Sequence, residues 1–423
     1  MKIKLLLFAA FILFVACSDQ DKSETSLLQP VSQEHKANIR TYEEALTIAE
    51  NAISLLNEKT TRSGLNDRKI DLNDRQIFKL DSKTRATANV NDTLIYVFNF
   101  ENSEGFALVS ASKATEGLLA ITEYGHCNTE ESSGISGFDM FVDMAKNYVA
   151  NTSSTQLRDT LSSIVEEYVF TSHDYTGPYV SVRWGQTYLA GEFCPNGICG
   201  CAATAMAQVM SYFEYPTSMT IDYPNSDVTS QSFNWSDMRI HYPKHYISTC
   251  FPTNHDVHKS ISRLCRQLGH VSNSNYKYDG TGTWTRTDSL KYTMQYYGFN
   301  TSGWNYYNST YAHADIDNGK VIIMYGNHNG VGGHFWILDG YDDVDYYIYQ
   351  YVHEEGSDEL VLVAILGPYS TKLNHINWGW FGVNNGYFAA DVFYAANVLI
   401  PDTNQNYSTN SFNSYLYTLS ISN

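Results

Sequence analysis

Positive charge is scarce in this 423-residue chain: 27 lysines and arginines stand against 45 aspartates and glutamates, for a net charge of −18. Binding to phosphates needs a basic surface, so nucleic acid is excluded as a partner. Long apolar runs are scarce too. Beyond Leu5 to Val15, no stretch is long and apolar enough for a membrane helix. There is no His-Glu-x-x-His zinc motif, no Cys-x-x-Cys pair, no P-loop and no dinucleotide fingerprint. Cys199-Gly200-Cys201 leaves one residue between its cysteines, a poor zinc knuckle. His353-Glu354-Glu355 with Asp358-Glu359 is acidic enough to attract a cation, but reads better as a solvated loop. No internal repeat is visible, and no metal or organic cofactor is implied.

What is present describes an exported, folded protein. The chain is 43% hydrophobic and 17% charged, which supports a packed core. Its length suits two domains and a leader. Its 33 tyrosines suit β-rich structure. Lys2 and Lys4 precede the apolar run Leu5 to Val15, which is too short to span a bilayer stably. The run ends at Phe14-Val15-Ala16-Cys17 and turns polar at Ser18. This resembles a bacterial lipobox, in which Cys17 is lipidated and anchors the chain to a membrane; Phe14 stands where leucine is usual. Ordinary secretory cleavage is the alternative. Residues 18–40 read as a polar tether. With Cys17 assigned to the anchor and Cys127 in the first half, Cys194, Cys199, Cys201, Cys250 and Cys265 remain. That odd number leaves at least one unpaired thiol and room for up to two disulfides, or all are reduced.

Periodicity divides the rest. Tyr42 to Asn57 is an amphipathic helix with Ala45, Ile48, Ala49, Ala52, Ile53 and Leu56 on one face, opened by a Thr41/Glu44 capping box. Residues 60–90 read as loop-rich. Leu94 to Phe100, a turn at Asn102 to Gly105, and Phe106 to Ser110 form a β-hairpin, and Leu118 to Thr122 adds a strand. Phe138 to Ala150 and Leu157 to Tyr168 read as helices, with linkers at 151–155 and 171–178. From Tyr179 the chain gains Trp, Gly and Cys. Helices are expected at Ala202 to Tyr212 and Ser289 to Tyr297. Strands are expected at Val321 to Tyr325, Phe335 to Leu338, Tyr346 to Val352, Leu360 to Leu366 and Gly386 to Ala390. A helix-rich lobe would then carry Cys201 and a β-rich lobe His334.

Those two residues carry the chemistry. Cys201 sits where Gly200 turns into a helix, whose N-terminus lowers a thiol's pKa. His334 follows Gly332-Gly333 and opens a strand, so Trp336 and Leu338 share its face while Phe335 and Ile337 take the other. A thiolate nucleophile needs such a base, and about 130 residues between them fits the papain class. An isolated cysteine would more often be structural and an isolated histidine a core residue; the pairing of contexts favours catalysis. An oxyanion needs preorganised donors, which Gln186 in Trp184-Gly185-Gln186 offers. An imidazole needs an orienting partner, which Asn377 in His375-Ile376-Asn377-Trp378-Gly379-Trp380 offers.

Taken in order, Gly200-Cys201 with Ala203-Thr204-Ala205, Ala207-Gln208, Tyr215-Pro216, Gly333-His334, Asp339-Gly340-Tyr341 and Asn377-Trp378-Gly379-Trp380 resemble the streptopain family of papain-like cysteine proteases. The likeness runs from about residue 178 to the end. Less specifically, the Tyr42 helix, Tyr96 to Phe100 and Gly105 to Ser110 resemble that family's propeptide. The resemblance implies an α+β protein. Its papain-like catalytic domain at 178–423 has a helical lobe and an antiparallel β lobe, and a small α+β inhibitory prodomain precedes it at 41–170. It implies nucleophile Cys201, base His334, oxyanion donor Gln186, and imidazole support from Asn377 and Trp378. The activity implied is that of an endopeptidase acting on protein or peptide substrates. It would be made as a zymogen, with its own prodomain as intramolecular inhibitor, cut between about 150 and 178. Phe381 stands where the family usually has glycine, which changes the cleft wall, and residues 350–368 look inserted. A Cys/His amidase acting on cell-wall peptides, an acyl transferase, or a non-enzymatic surface binding protein would share parts of this pattern.

Overall fold

The structure is a computed structural model. It describes residues 39–60, 68–79, 93–153, 164–240, 255–277, 282–328, 333–353, 359–398 and 414–423. The leader 1–17 with Cys17, nearly all of the tether, and Cys250 lie outside the described residues.

The first helix, α1 (Tyr42–Thr60), begins where the sequence predicts. The Thr41 amide donates to Glu44 Oε2 at 2.7 Å and the Glu44 amide to Thr41 Oγ1 at 3.2 Å, so each end of the capping box satisfies the other. Four antiparallel strands follow in spatial order: β1 (Ile70–Lys79), β2 (Thr93–Phe100), β3 (Phe106–Ser110) and β4 (Leu118–Thr122). β1 corrects the loop expected over 60–90. Its polar residues are tolerated because it is an edge strand, half in water along its length. α2 (Ser136–Ser153) then buries Phe138, Phe141, Ala145 and Val149.

β5 (Ile164–Thr176) overturns both the helix expected to reach Tyr168 and the linker expected from Thr171. Its run of β-branched and aromatic residues pairs antiparallel with a later strand, β13, from Ile164↔Val352 to Thr176↔Tyr341. That non-local partner decides its conformation. β5 also crosses the domain boundary expected at 170–178.

The helical lobe holds α3 (Cys201–Phe213), β6 (Ser218–Thr220), β7 (Ser230–Ser232), α4 (Trp235–Ile240), α5 (His255–Val271), β8 (Asn275–Tyr276), β9 (Thr283–Trp284) and α6 (Thr287–Tyr296). The β lobe adds β10 (Asn300–Thr301), β11 (Asn305–Tyr306), α7 (Ser309–Asp317), β12 (Val321–His328), β13 (Gly333–His353), β14 (Leu360–Asn377), β15 (Gly386–Ala389), α8 (Ala390–Val398) and β16 (Ser414–Ser422). The two strands expected at Phe335 and Tyr346 are one continuous strand, β13. The segment expected to be an insertion forms an arm in which β13 is flanked by β5 and β14.

One sheet runs through both parts of the chain in the order β1-β2-β3-β4-β15-β14-β13-β12-β16-β10. The joint is β4 against β15, with Thr122 opposite Gly386 and Ala120 opposite Phe388. One core spans that joint: Phe138 packs on Trp378 and Phe388, and Phe141 on Phe388 and Phe393. A second core joins α3, α5 and α6 to Phe335 and Ile337 on the opposite face of β13. The alternation expected around His334 holds, since Trp336 and Leu338 lie in the first core and Phe335 and Ile337 in the second. Among the described residues no helix is long and apolar enough to cross a membrane. Cys127, Cys194, Cys199, Cys201 and Cys265 are all free thiols.

Candidate active site

Cys201 is the first residue of α3, after Gly200 at φ 87°. A side chain at Gly200 would be strained there and would press within 3.0 Å of the Thr283 carbonyl, so the turn into the helix requires glycine. Every residue from Ala202 to Ser211 is buried, while Cys201 keeps partial exposure at the helix mouth. Burial pushes its thiol pKa up. The neighbouring His334, by charge and hydrogen bond, and the amides of Phe335 and Ala202 outweigh that and hold it below its ordinary value. Cys199, two residues earlier, moves the other way: its burial and its contact with Cys265 raise it well above the ordinary value. Of the two, only the Cys201 thiol is shifted toward the thiolate.

His334 faces Cys201 from β13 and is 7% exposed. Burial alone would depress the imidazole; the charge and hydrogen bond of Cys201, then the Trp378 carbonyl, raise it instead. Its Nε2 lies 3.5 Å from that carbonyl oxygen, which leaves Nδ1 for the thiol. Each group thus shifts the other toward its charged form, the thiol toward thiolate and the imidazole toward imidazolium.

Gln186 lies on the segment entering the helical lobe, and its backbone carbonyl accepts from the Cys199 amide at 2.8 Å. Its side-chain Nε2 is buried and has no hydrogen-bond partner among the described residues. An unmatched buried donor is costly unless a ligand completes it, and an oxyanion beside Cys201 would do so.

Asn377 is placed differently from the expectation. Its Oδ1 accepts from the Gly379 amide at 3.0 Å and from Gln208 Nε2 at 3.5 Å, and its Nδ2 donates to Val182 O at 3.0 Å. The group facing the imidazole is the carbonyl of the next residue, Trp378. That residue is fully buried: its amide donates to Asn385 Oδ1 at 3.0 Å and its indole to Asn384 O at 2.9 Å. Gln208, to which the sequence assigned no role, also donates to Trp184 O at 2.9 Å and so ties the Gln186 segment to Asn377.

The turn after Trp378 is tightly wound, with positive φ at Gly379, Phe381, Gly382 and Asn384. Phe381 holds φ 57°, a conformation that costs a side-chain-bearing residue about 1–2 kcal/mol. The N-terminal domain closes over the same region. At Gly137 in α2 a Cβ would lie 2.7 Å from Trp378 Cε3 and 2.8 Å from His334 Cδ2, so the helix backbone rests directly on the candidate base. Beside it, Glu123 Oε2 accepts from Arg183 at 2.7 Å and Oε1 lies 3.5 Å from His375 Nε2, whose Nδ1 is 2.6 Å from Asp339 Oδ1. Burial opposes both charges. Against it, His375, Arg183 and Arg68 hold Glu123 at about 2, and Asp339 with Glu123 raises His375 to about 9.

Residues 183–388 match the Peptidase C10 family and residues 29–149 match the Spi protease inhibitor. Streptopain of Streptococcus pyogenes is 22% identical over 349 residues, covering 74% of this chain and 77% of streptopain. The thiol protease/hemagglutinin PrtT of Porphyromonas gingivalis is 21% identical over 71% of this chain, which spans 34% of PrtT. A prointerpain A fragment of Prevotella intermedia shares the fold, with a TM-score of 0.50 and 17% identity, over 82% of this chain and 98% of that one. The chain is thus a cysteine protease of the streptopain family, a peptidase C10 domain joined to a Spi-type inhibitor propeptide domain.

Proposed function

We propose that this chain is an exported cysteine endopeptidase, made as a zymogen and working through Cys201 and His334. The observation that carries the reading is the coupled pair itself, a thiol held down and an imidazole held up by one another. The Cys201 thiolate attacks the peptide carbonyl carbon. The oxyanion is held by the Cys201 amide and the unmatched Nε2 of Gln186. The His334 imidazolium gives its proton to the leaving amine, the C–N bond breaks, and a thioester remains. His334 then takes a proton from water, hydroxide attacks the thioester, and the acid leaves as the thiolate is restored. Trp378 orients the imidazole through its carbonyl, and Asn377 supports it at one remove by fixing Gly379.

The prodomain inhibits by covering. The dyad is assembled beneath it, so Gly137 and α2 resting on His334 and Trp378 favour a blocked site over a displaced histidine. Residues 41–170 as prodomain, 178–423 as catalytic domain, and an anchor at Cys17 complete the proposal. Casein hydrolysis by the full chain, incubated until the wild type has processed itself, tests it: Cys201→Ala and His334→Ala are each expected to abolish activity, and activity retained in either would refute the dyad. Hydrolysis of peptidoglycan fragments in place of casein would favour the amidase reading.

A further inference from the structure

Two aromatic residues flanking the candidate oxyanion donor hold a backbone conformation that aromatic residues avoid. Tyr188 has φ 53° and Phe381 φ 57°. They come from different elements, one just after Gln186 and one in the turn just after Trp378. Their rings meet edge to face with centroids 5.9 Å apart. The tip of the Phe381 ring lies over Gly185, where a Cβ would stand 2.4 Å from Cε2 and Cζ. Trp380 flanks Phe381 at 6.5 Å, and Tyr188 is 58% exposed. Glycine would take either backbone without strain, so it is the rings that the strain retains. Strain of this kind persists where surrounding structure imposes it, and it gathers at functional sites.

We propose that Phe381 and Tyr188 form an aromatic clamp for the substrate residue on the leaving-group side of the scissile bond, selecting an apolar or aromatic side chain there. This rests on the reading of Cys201 and His334 as a protease dyad. The side follows from the chemistry: the imidazole protonates the leaving amine, and the carbonyl that orients the imidazole belongs to the turn that carries Phe381. The opposite wall, Tyr188, follows the residue that would hold the oxyanion. A side chain leaving the amine nitrogen therefore emerges against the surface that the two touching rings form together. Their edge-to-face arrangement presents one ring face and one ring edge, which suits a third ring or a branched aliphatic chain. Arg183, the cation on the segment that leads to Gln186, is paired with Glu123 and lies behind Gly382, where a Cβ would sit 2.5 Å from its Cδ.

The test uses the full chain after self-processing. Casein fragments are sequenced from their new N-termini, and a peptide series varies the residue after the cut among Phe, Leu, Ala, Asp and Lys. The wild type is expected to prefer Phe and Leu. Phe381→Gly is expected to cut the Phe-over-Ala ratio of kcat/KM about tenfold, within the range an apolar pocket supplies. Phe381→Tyr is expected to restore it, and Tyr188→Gly to give an intermediate loss. A wild type with no such preference, or a fragment pattern unchanged in Phe381→Gly, overturns the clamp. The control separates the two readings: an inactive wild type refutes the protease dyad and the clamp with it, whereas Cys201-dependent cleavage with unchanged preference refutes the clamp alone.

Discussion

Residue types were legible where the chemistry demands them and illegible where geometry chooses the atom. Cys201 and His334 stand out in sequence because few residue types can serve as nucleophile and base, and both carry glycine turns. The resemblance names Trp378 as imidazole support but not the atom, because a backbone carbonyl is one that any residue possesses; only the fold aims Trp378 O at His334. The Asn377 amide is committed to Val182, Gly379 and Gln208 instead. Gln186 is the sharpest residue-scale prediction. In the proposed role Gln186 donates only in the transition state, so Gln186→Ala is expected to lower kcat about 10²–10³-fold with the melting temperature unchanged; an equal loss confined to KM would contradict it. The dyad also sets a pH signature. The Cys201 thiol lies below its ordinary value of 9.0 and the His334 imidazole above its ordinary 6.5. The active ion pair therefore disappears as pH falls through the thiol's pKa and again as pH rises through the imidazole's. Iodoacetamide alkylation of Cys201 should accordingly set in at lower pH than that of an ordinary thiol, and reactivity appearing only near pH 9 would contradict the pairing.

Elements were legible when their signals are local. The Thr41/Glu44 box and the 94–110 hairpin carry their own start and turn residues, and both formed as read. β5 carries no such punctuation and owes its conformation to β13, nearly 180 residues away. β13 itself looked like two strands because Asp342, Asp343 and Asp345 interrupt the apolar pattern. In the fold Asp345 accepts from Ser172 at 2.8 Å, while Asp342 and Asp343 lie 3.6 Å from His173 and 3.5 Å from His313. α5, for which no helix is expected above, also carries a local signal: Val257, Ile261, Leu264, Cys265 and Leu268 lie at helical spacing, all buried. The element that matters most for latency is α2, whose start is fixed by Asp139 accepting from Ser132 Oγ at 2.6 Å and the Ser133 amide at 2.9 Å. Gly137→Ala would drive a methyl group into the rings of Trp378 and His334. Overpacking of this kind costs about 1–3 kcal/mol, here charged to prodomain docking. Faster self-processing of this variant is expected; processing at the wild-type rate would mean that α2 does not rest on the site.

At the scale of the whole molecule, prodomain and protease share a sheet and a core, so latency is a property of one continuous body. The Glu123–Arg183–His375–Asp339 cluster is its charged clasp. Glu123, ordinarily 4.5, is held at about 2, so its contribution is full above 4.5 and lost only as pH falls toward 2. His375, ordinarily 6.5, is raised to about 9, so its contribution is full below 6.5 and lost as pH rises through 9. The clasp is thus strongest between pH 4.5 and 6.5, and mild acid should not open it. Thermal unfolding of the Cys201→Ala chain from pH 4 to 10 should show a plateau there and a decline between pH 6.5 and about 9. That decline should shrink in Glu123→Gln; an identical profile in both would remove the clasp from the account. The central claim, a zymogen cut by its own Cys201, is tested most directly by the intact mass of residues 18–423 during incubation under reducing conditions, beside Cys201→Ala. The account predicts loss of an N-terminal piece of about 15–18 kDa, the size of a small domain, from the wild type alone. Equal cutting of both chains, or of neither, would contradict it.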